Sequence, residues 1–135
     1  MKAVFVDTNI FLRFLARDQE KQYQACRKLF KQAQENKIKL ITSSLVIFEL
    51  IWTLVSYYQE SKDQVTEKIL SLLELPNLRA ENREIFLEAL LLWQEKNIDF
   101  NDAFNSVWAQ KKKINQIYSY DRDFDKLPGI RRSEP

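Results

Sequence analysis

Four acidic residues of this chain stand where a carboxylate is not needed for solubility. Asp7 ends the apolar run Ala3-Val4-Phe5-Val6 and is followed by Thr8-Asn9. Glu49 interrupts Leu45-Val46-Ile47-Phe48 and Leu50-Ile51-Trp52. Asp102 lies in Ile98-Asp99-Phe100-Asn101-Asp102-Ala103, and Asp121 follows Ile117-Tyr118-Ser119-Tyr120. Carboxylates drawn within a few ångströms of each other repel and raise one another's pKa, and a bound divalent cation removes that penalty. The chain has no histidine, one cysteine (Cys26) and one glycine (Gly129). Without histidine there is no imidazole base, no Ser-His-Asp triad and no His-ligated metal. A lone cysteine excludes an internal disulfide and a multi-Cys zinc site. A single glycine near the end excludes the P-loop and the dinucleotide fingerprint. What remains is oxygen chemistry, which points to a hard cation such as Mg²⁺ or Mn²⁺.

Each acid also has a purely structural reading. Asp7 and Asp121 follow strand-like runs and precede helical ones, the place of a helix cap. Glu49 fits a buried ion pair as well as a side chain aimed into a polar cavity, because an unpaired buried carboxylate costs several kcal/mol. Asp99 and Asp102 open a helix, where acids suit the helix dipole without further purpose.

The elements that must position these residues follow from periodicity. Strands are predicted over residues 2–6, 38–42 and 117–120, with short ones at 78–80 and 130–132. The first reads as central and parallel from its unbroken apolar character. Helices are predicted over 9–15, 19–35, 44–59, 62–73, 82–96 and 101–113. The helix from residue 44 is apolar almost all round and is expected to be largely buried, Trp52 included. Alternating strands and helices predict one α/β domain over residues 1–135, a mostly parallel sheet flanked by helices. In such sheets ligands bind beyond the C-terminal ends of the strands, where Asp7 and Asp121 would sit.

Composition agrees with a folded domain: 45% of the 135 residues are hydrophobic and 30% charged. The longest apolar stretch, residues 45–55, is too short to span a membrane and contains Glu49. The first residues run straight into a strand, leaving no room for a signal peptide, and with Cys26 the one cysteine a reducing cytoplasm is the expected location. The net charge is only +2, but seven Lys/Arg stand against four acids from Lys111 onward. Lys111, Lys112, Lys113, Arg122, Arg131 and Arg132 are candidates to hold a polyanion beside an acidic site. For Lys111, Lys112 and Lys113 taken alone, a solvated helix end is the favoured reading.

Val4-Phe5-Val6-Asp7-Thr8-Asn9-Ile10, Glu49 after Thr42-Ser43-Ser44, Asp102-Ala103 and Ser119-Tyr120-Asp121-Arg122-Asp123-Phe124 together resemble a PIN domain. Their order and spacing are similar to the VapC-type toxins of prokaryotic toxin–antitoxin pairs, and the resemblance covers essentially the whole chain. It implies a Rossmann-like fold and a metal-dependent ribonuclease, often dimeric and inhibited by a small antitoxin protein. It makes Asp7, Glu49, Asp102 and Asp121 the catalytic acids and ligands of Mg²⁺ or Mn²⁺. Thr8, Asn9 and Ser119 match residues that brace the acids, while Asp99 and Asp123 are outer groups or alternative ligands. The basic residues named above would then hold RNA. Two other functions fit some of the same residues. One is a catalytically silent PIN module that binds RNA or protein. The other is an aspartate-based phosphotransferase using Asp7, which typically carries a second Asp where this chain has Asn9. On the long apolar helix Trp52, Tyr57 and Tyr58 offer a dimer or partner surface, with core packing as the alternative for Trp52.

Overall fold

A computed structural model describes residues 1–135. The chain divides into two compact units, Met1–Arg83 and Glu84–Pro135. In the first unit the order is β1 (Lys2–Phe5), α1 (Thr8–Ala16), α2 (Glu20–Gln34), β2 (Ile38–Thr42), α3 (Ser44–Ser56), α4 (Lys62–Leu73) and β3 (Leu78–Ala80). The strands form one parallel sheet ordered β1-β2-β3, with Val4 opposite Leu40 and Ile41 opposite Arg79. The expectation of a central β1 is therefore corrected: β2 lies in the middle of this sheet. An unbroken apolar run reports burial on two faces, not lateral order, and Phe5 at the end of β1 is in fact exposed.

The core of this unit lies where α1, α2, α3 and α4 meet the sheet. Phe11, Leu40, Ile47, Leu50, Leu54, Val65 and Ile69 are fully buried, and each such side chain contributes about 1.5–3 kcal/mol by leaving water. Phe11 stacks on Phe30 at 5.8 Å and Phe14 meets the edge of Phe30 at 4.7 Å, joining α1 to α2. Ser43 caps α3 and Ser61 forms a capping box with Gln64 on α4. The buried Thr42 hydroxyl donates to the Val6 carbonyl at 2.9 Å and ties the ends of β1 and β2 together.

With a single glycine, the chain uses other residues for left-handed turns. Asn36, Asn77 and Asn82 have φ of 60°, 62° and 59°, the conformation asparagine tolerates best among residues with a side chain. Asn77 is also fixed by its amide, which donates to the Ala33 carbonyl at 2.8 Å and to Asn36 Oδ1 at 2.7 Å.

The second unit holds α6 (Phe100–Lys111), β4 (Gln116–Tyr118), a 3₁₀ turn (Arg122–Lys126) and β5 (Arg131–Ser133), preceded by α5 (Arg83–Glu95). Here β4 and β5 pair in parallel, Ile117 opposite Arg132. The strands thus fall into two parallel sheets, three strands in one and two in the other. Phe86 is fully buried and packs on Phe104 at 4.9 Å and Phe100 at 6.1 Å. Trp93 meets Phe100 edge-on at 5.6 Å. This aromatic seam fixes the first turn of α6, the turn that carries Asp102. No helix is long and apolar enough to cross a membrane.

Candidate metal centre

The second unit brings three carboxylates together. Ligand oxygens of Asp102, Asp121 and Asp123 all lie within 4.8 Å of one another. Asp102 comes from the first turn of α6, whose opposite face is buried through Ala103, Phe104 and Val107. Asp121 caps the 3₁₀ turn and accepts the Asp123 amide at 2.9 Å. The amide of Asp121 in turn donates to Ser119 Oγ at 3.0 Å. Lys126 pairs with Asp123 at 2.9 Å and donates to the Asn97 carbonyl at 3.0 Å. Arg132 donates to the Ser119 carbonyl at 2.9 Å, so the segment between β4 and the 3₁₀ turn is held from two sides.

Burial and the crowding of like charge push the two carboxyls of the pair apart in titration. Asp102 is pushed up to about 7, first by burial, then by sharing a hydrogen bond with Asp121, and by the charges of Asp121, Asp99 and Asp123. Asp121 moves the other way, held down by the Asp123 amide, the Asp102 hydrogen bond, and the cations Lys126 and Arg132. Two carboxyls sharing one proton is the arrangement expected when both cannot ionise side by side. The second oxygen, Asp102 Oδ2, is buried without a hydrogen-bond partner. A buried polar atom without a partner is costly, and a hard cation would satisfy it. The donor set is all oxygen and suits Mg²⁺ or Mn²⁺. Asp102 also lines, with Asn105, Trp108, Ile117, Ser119 and Phe124, a cavity of about 440 Å³. Asp99 caps α6 by position without a side-chain hydrogen bond and acts on Asp102 through its charge.

The acids of the first unit are placed differently. Asp7 is the N-cap of α1, its carboxylate accepting the Thr8 amide at 2.8 Å, and it is exposed. Thr8 is buried with its hydroxyl unpartnered. Asn9 lines a separate cavity of about 460 Å³ with Ile10, Arg13 and Cys26. Glu49 is exposed on α3. The expectation of a buried ion pair is corrected. The reason is that α3 buries one side only, through Val46, Ile47, Leu50, Ile51 and Leu54. Leu45, Glu49 and Trp52 lie on its other side, Leu45 73% and Trp52 68% exposed. The core-packing reading of Trp52 falls with the same observation.

Among the basic candidates, two are already engaged. Lys111 pairs with Glu88 at 3.0 Å. Arg132 is 11% exposed and pairs with Asp125 at 3.0 Å and Glu134 at 3.2 Å. Its guanidinium braces a loop and is not open to a ligand, which corrects its placement among RNA-holding residues. Lys112 lies 5.4 Å over the Trp108 ring. Lys113, Arg122 and Arg131 are exposed. Lys126, absent from the sequence candidates, touches Asp123 directly; its signal was the Asp-x-x-Lys spacing at Asp123.

Comparison with known proteins places the chain in a family. A VapC ribonuclease of Aquifex aeolicus (strain VF5) is 28% identical over 122 residues, spanning 90% of each chain. The crystal structure of Mycobacterium tuberculosis VapC20, described as a Sarcin-Ricin loop cleaving toxin, superposes with a TM-score of 0.39 at 20% identity, covering 90% of this chain and 92% of that one. VapBC2 from Rickettsia felis, bound to a DNA fragment from its promoter, gives 0.39 at 16% identity, covering 99% and 98%. The sequence pattern of the PIN domain matches residues 4–130, and the chain belongs to the PIN domain family.

Proposed function

We propose that this protein is a divalent-cation-dependent endoribonuclease and the toxin of a toxin–antitoxin pair. The observation that carries the reading is the Asp102, Asp121 and Asp123 cluster with its unpartnered buried oxygen, in a PIN chain. The toxin role is supported by the VapC ribonuclease relative. Asp102, Asp121 and Asp123 would hold Mg²⁺ or Mn²⁺, which supplies an acidified water as nucleophile and offsets charge on the phosphate.

The chain's own residues prepare the reaction. Asp102 shares a proton with Asp121 and would have to be deprotonated to serve as a ligand. Ser119 and the Asp123 amide hold Asp121 in one orientation, and Lys126 does the same for Asp123. Lys113, Arg122 and Arg131 hold flanking phosphates of the RNA. Asp7 and Glu49, matched to the family's acids, and Thr8 and Asn9, matched to the braces, belong to the same proposal. The exposed Trp52 and Tyr57 offer the apolar anchors of a second copy or of the antitoxin.

The test is cleavage of RNA by purified protein with Mn²⁺, compared with Asp121→Asn. The substitution keeps the size and the capping oxygen but removes the charge, and the rate is expected to fall by about 10³-fold. An Asp121→Asn protein that cleaves at the normal rate would sink the assignment. In cells, production of the wild-type chain should halt growth and production of Asp121→Asn should not.

A further inference from the structure

The most one-sided charge distribution lies on α2, in the first unit. Lys21, Arg27, Lys28 and Lys31 are all exposed. At about 100° per residue they fall within one arc of about 120°, roughly opposite the face that buries Cys26, Phe30 and Ala33. Acids occur on this face only at its two ends, and both are taken. Glu20 pairs with Arg17 at 3.2 Å, and Glu35 pairs with Lys37 at 2.9 Å and reaches Lys31 at 4.0 Å. No carboxylate lies within ion-pair distance of Lys21, Arg27 or Lys28. From Arg17 to Lys37 six cations stand against three acids, Asp18, Glu20 and Glu35, and Asp18 is taken by Arg13 at 2.8 Å.

A merely solvated helix face would interleave its charges. Glu four residues before Lys stabilises a helix, whereas like charges at that spacing oppose it. Here Gln24 precedes Lys28 by four, and Arg27 precedes Lys31 by four. Gln24 donates to Glu20 at 2.8 Å and gives Lys28 no opposite charge, so the Arg27–Lys31 repulsion goes unrelieved from within this turn. The line from Lys21 to Lys31 covers ten residues, about 15 Å at the helical rise. That is long enough to lie beside several consecutive phosphates, and neutralising phosphates releases their counterions.

We infer that the outward face of α2 is a track for the phosphate backbone of single-stranded RNA. The inference rests on the ribonuclease reading for the identity of the polyanion, and it adds a substrate-holding surface that the acid cluster does not supply. Glutamine is a good helix former, so replacing the four cations leaves the helix and its buried face intact.

The experiment measures binding of a fluorescein-labelled oligouridylate by anisotropy, in EDTA so that no cleavage occurs. Wild type is compared with Lys21→Gln/Arg27→Gln/Lys28→Gln/Lys31→Gln over a range of salt. Far-UV circular dichroism checks that the variant melts like wild type. The variant is expected to bind at least tenfold more weakly at low salt. The slope of log affinity on log salt should shrink by about 0.7 for each phosphate that is no longer neutralised. Unchanged affinity and slope overturn the inference, as does a wild type that does not bind the oligouridylate. A variant that keeps the oligouridylate but loses polyglutamate, tested in parallel, assigns the face to an acidic protein and equally overturns it. Tight, α2-dependent binding by a wild type that never cleaves with Mn²⁺ would instead leave the track standing and remove the nuclease reading.

Discussion

The acids of the two units are held in opposite ways. In the first unit Asp7 and Glu49 are exposed, and Asp7 is satisfied by the Thr8 amide at 2.8 Å. In the second unit Asp102 is half-buried against two other carboxylates, one oxygen has no partner, and its pKa is pushed up to about 7. The first arrangement stabilises a helix start; the second stores repulsion. Stored repulsion is what a binding site for a cation looks like before the cation arrives, because folding alone would not select it. The basic residues repeat the contrast. Around the cluster Lys126 and Arg132 are spent on bracing acids and carbonyls, whereas on α2 Lys21, Arg27 and Lys28 face solvent without an acid beside them.

The contrast is broken most directly by Mn²⁺ titration calorimetry. Asp102→Asn removes the ligand that bears the unpartnered oxygen and is expected to abolish the heat of binding. Glu49→Gln, at the solvent face of α3, is expected to weaken binding but leave it measurable. Equal losses from the two would dissolve the distinction drawn between them.

Asp7 tests the other side. Its capping role and its proposed catalytic role separate by substitution, because asparagine caps as well as aspartate while alanine does not cap. Asp7→Ala is expected to cost about 1 kcal/mol of stability in denaturant unfolding. Asp7→Asn should leave stability near wild type while cleavage falls. If Asp7→Asn cleaves normally, Asp7 is a cap and nothing more.

Much of this was legible in sequence, for reasons that particular residues make clear. The strand-to-acid junctions at Asp7 and Asp121 were readable because an apolar run ending in a polar residue has few structural solutions. The asparagines at Asn36, Asn77 and Asn82 stand where a chain with one glycine must turn. The lateral place of β1 was not readable, since burial on two faces does not name neighbours. Glu49 misled because an all-apolar helix has no polar stripe to reveal which side is out; Leu45 and Trp52 proved to be on the outer side. The fate of the basic residues was hidden because their partners are remote: Lys111 finds Glu88 across 23 positions. The proton shared by Asp102 and Asp121 depends on a distance that only the fold supplies.

An effect on stability is the most diagnostic of that shared proton. In the unfolded chain Asp102 titrates near the ordinary value of about 3.9. In the folded, metal-free protein it titrates at about 7. Between these values the folded state holds a proton that the unfolded state has lost. Stability from this group therefore falls as pH rises from about 4 to 7 and stays at its lower level above 7. Asp102→Asn cannot ionise and should lack this dependence. The variant should melt on the order of 5 °C above wild type at pH 8 in EDTA, and about level with it near pH 4. Adding Mn²⁺ at pH 8 should reverse the order, because only wild type gains a bound ion. Identical pH profiles in EDTA would mean that Asp102 ionises freely, and the stored repulsion that distinguishes the two units would not exist.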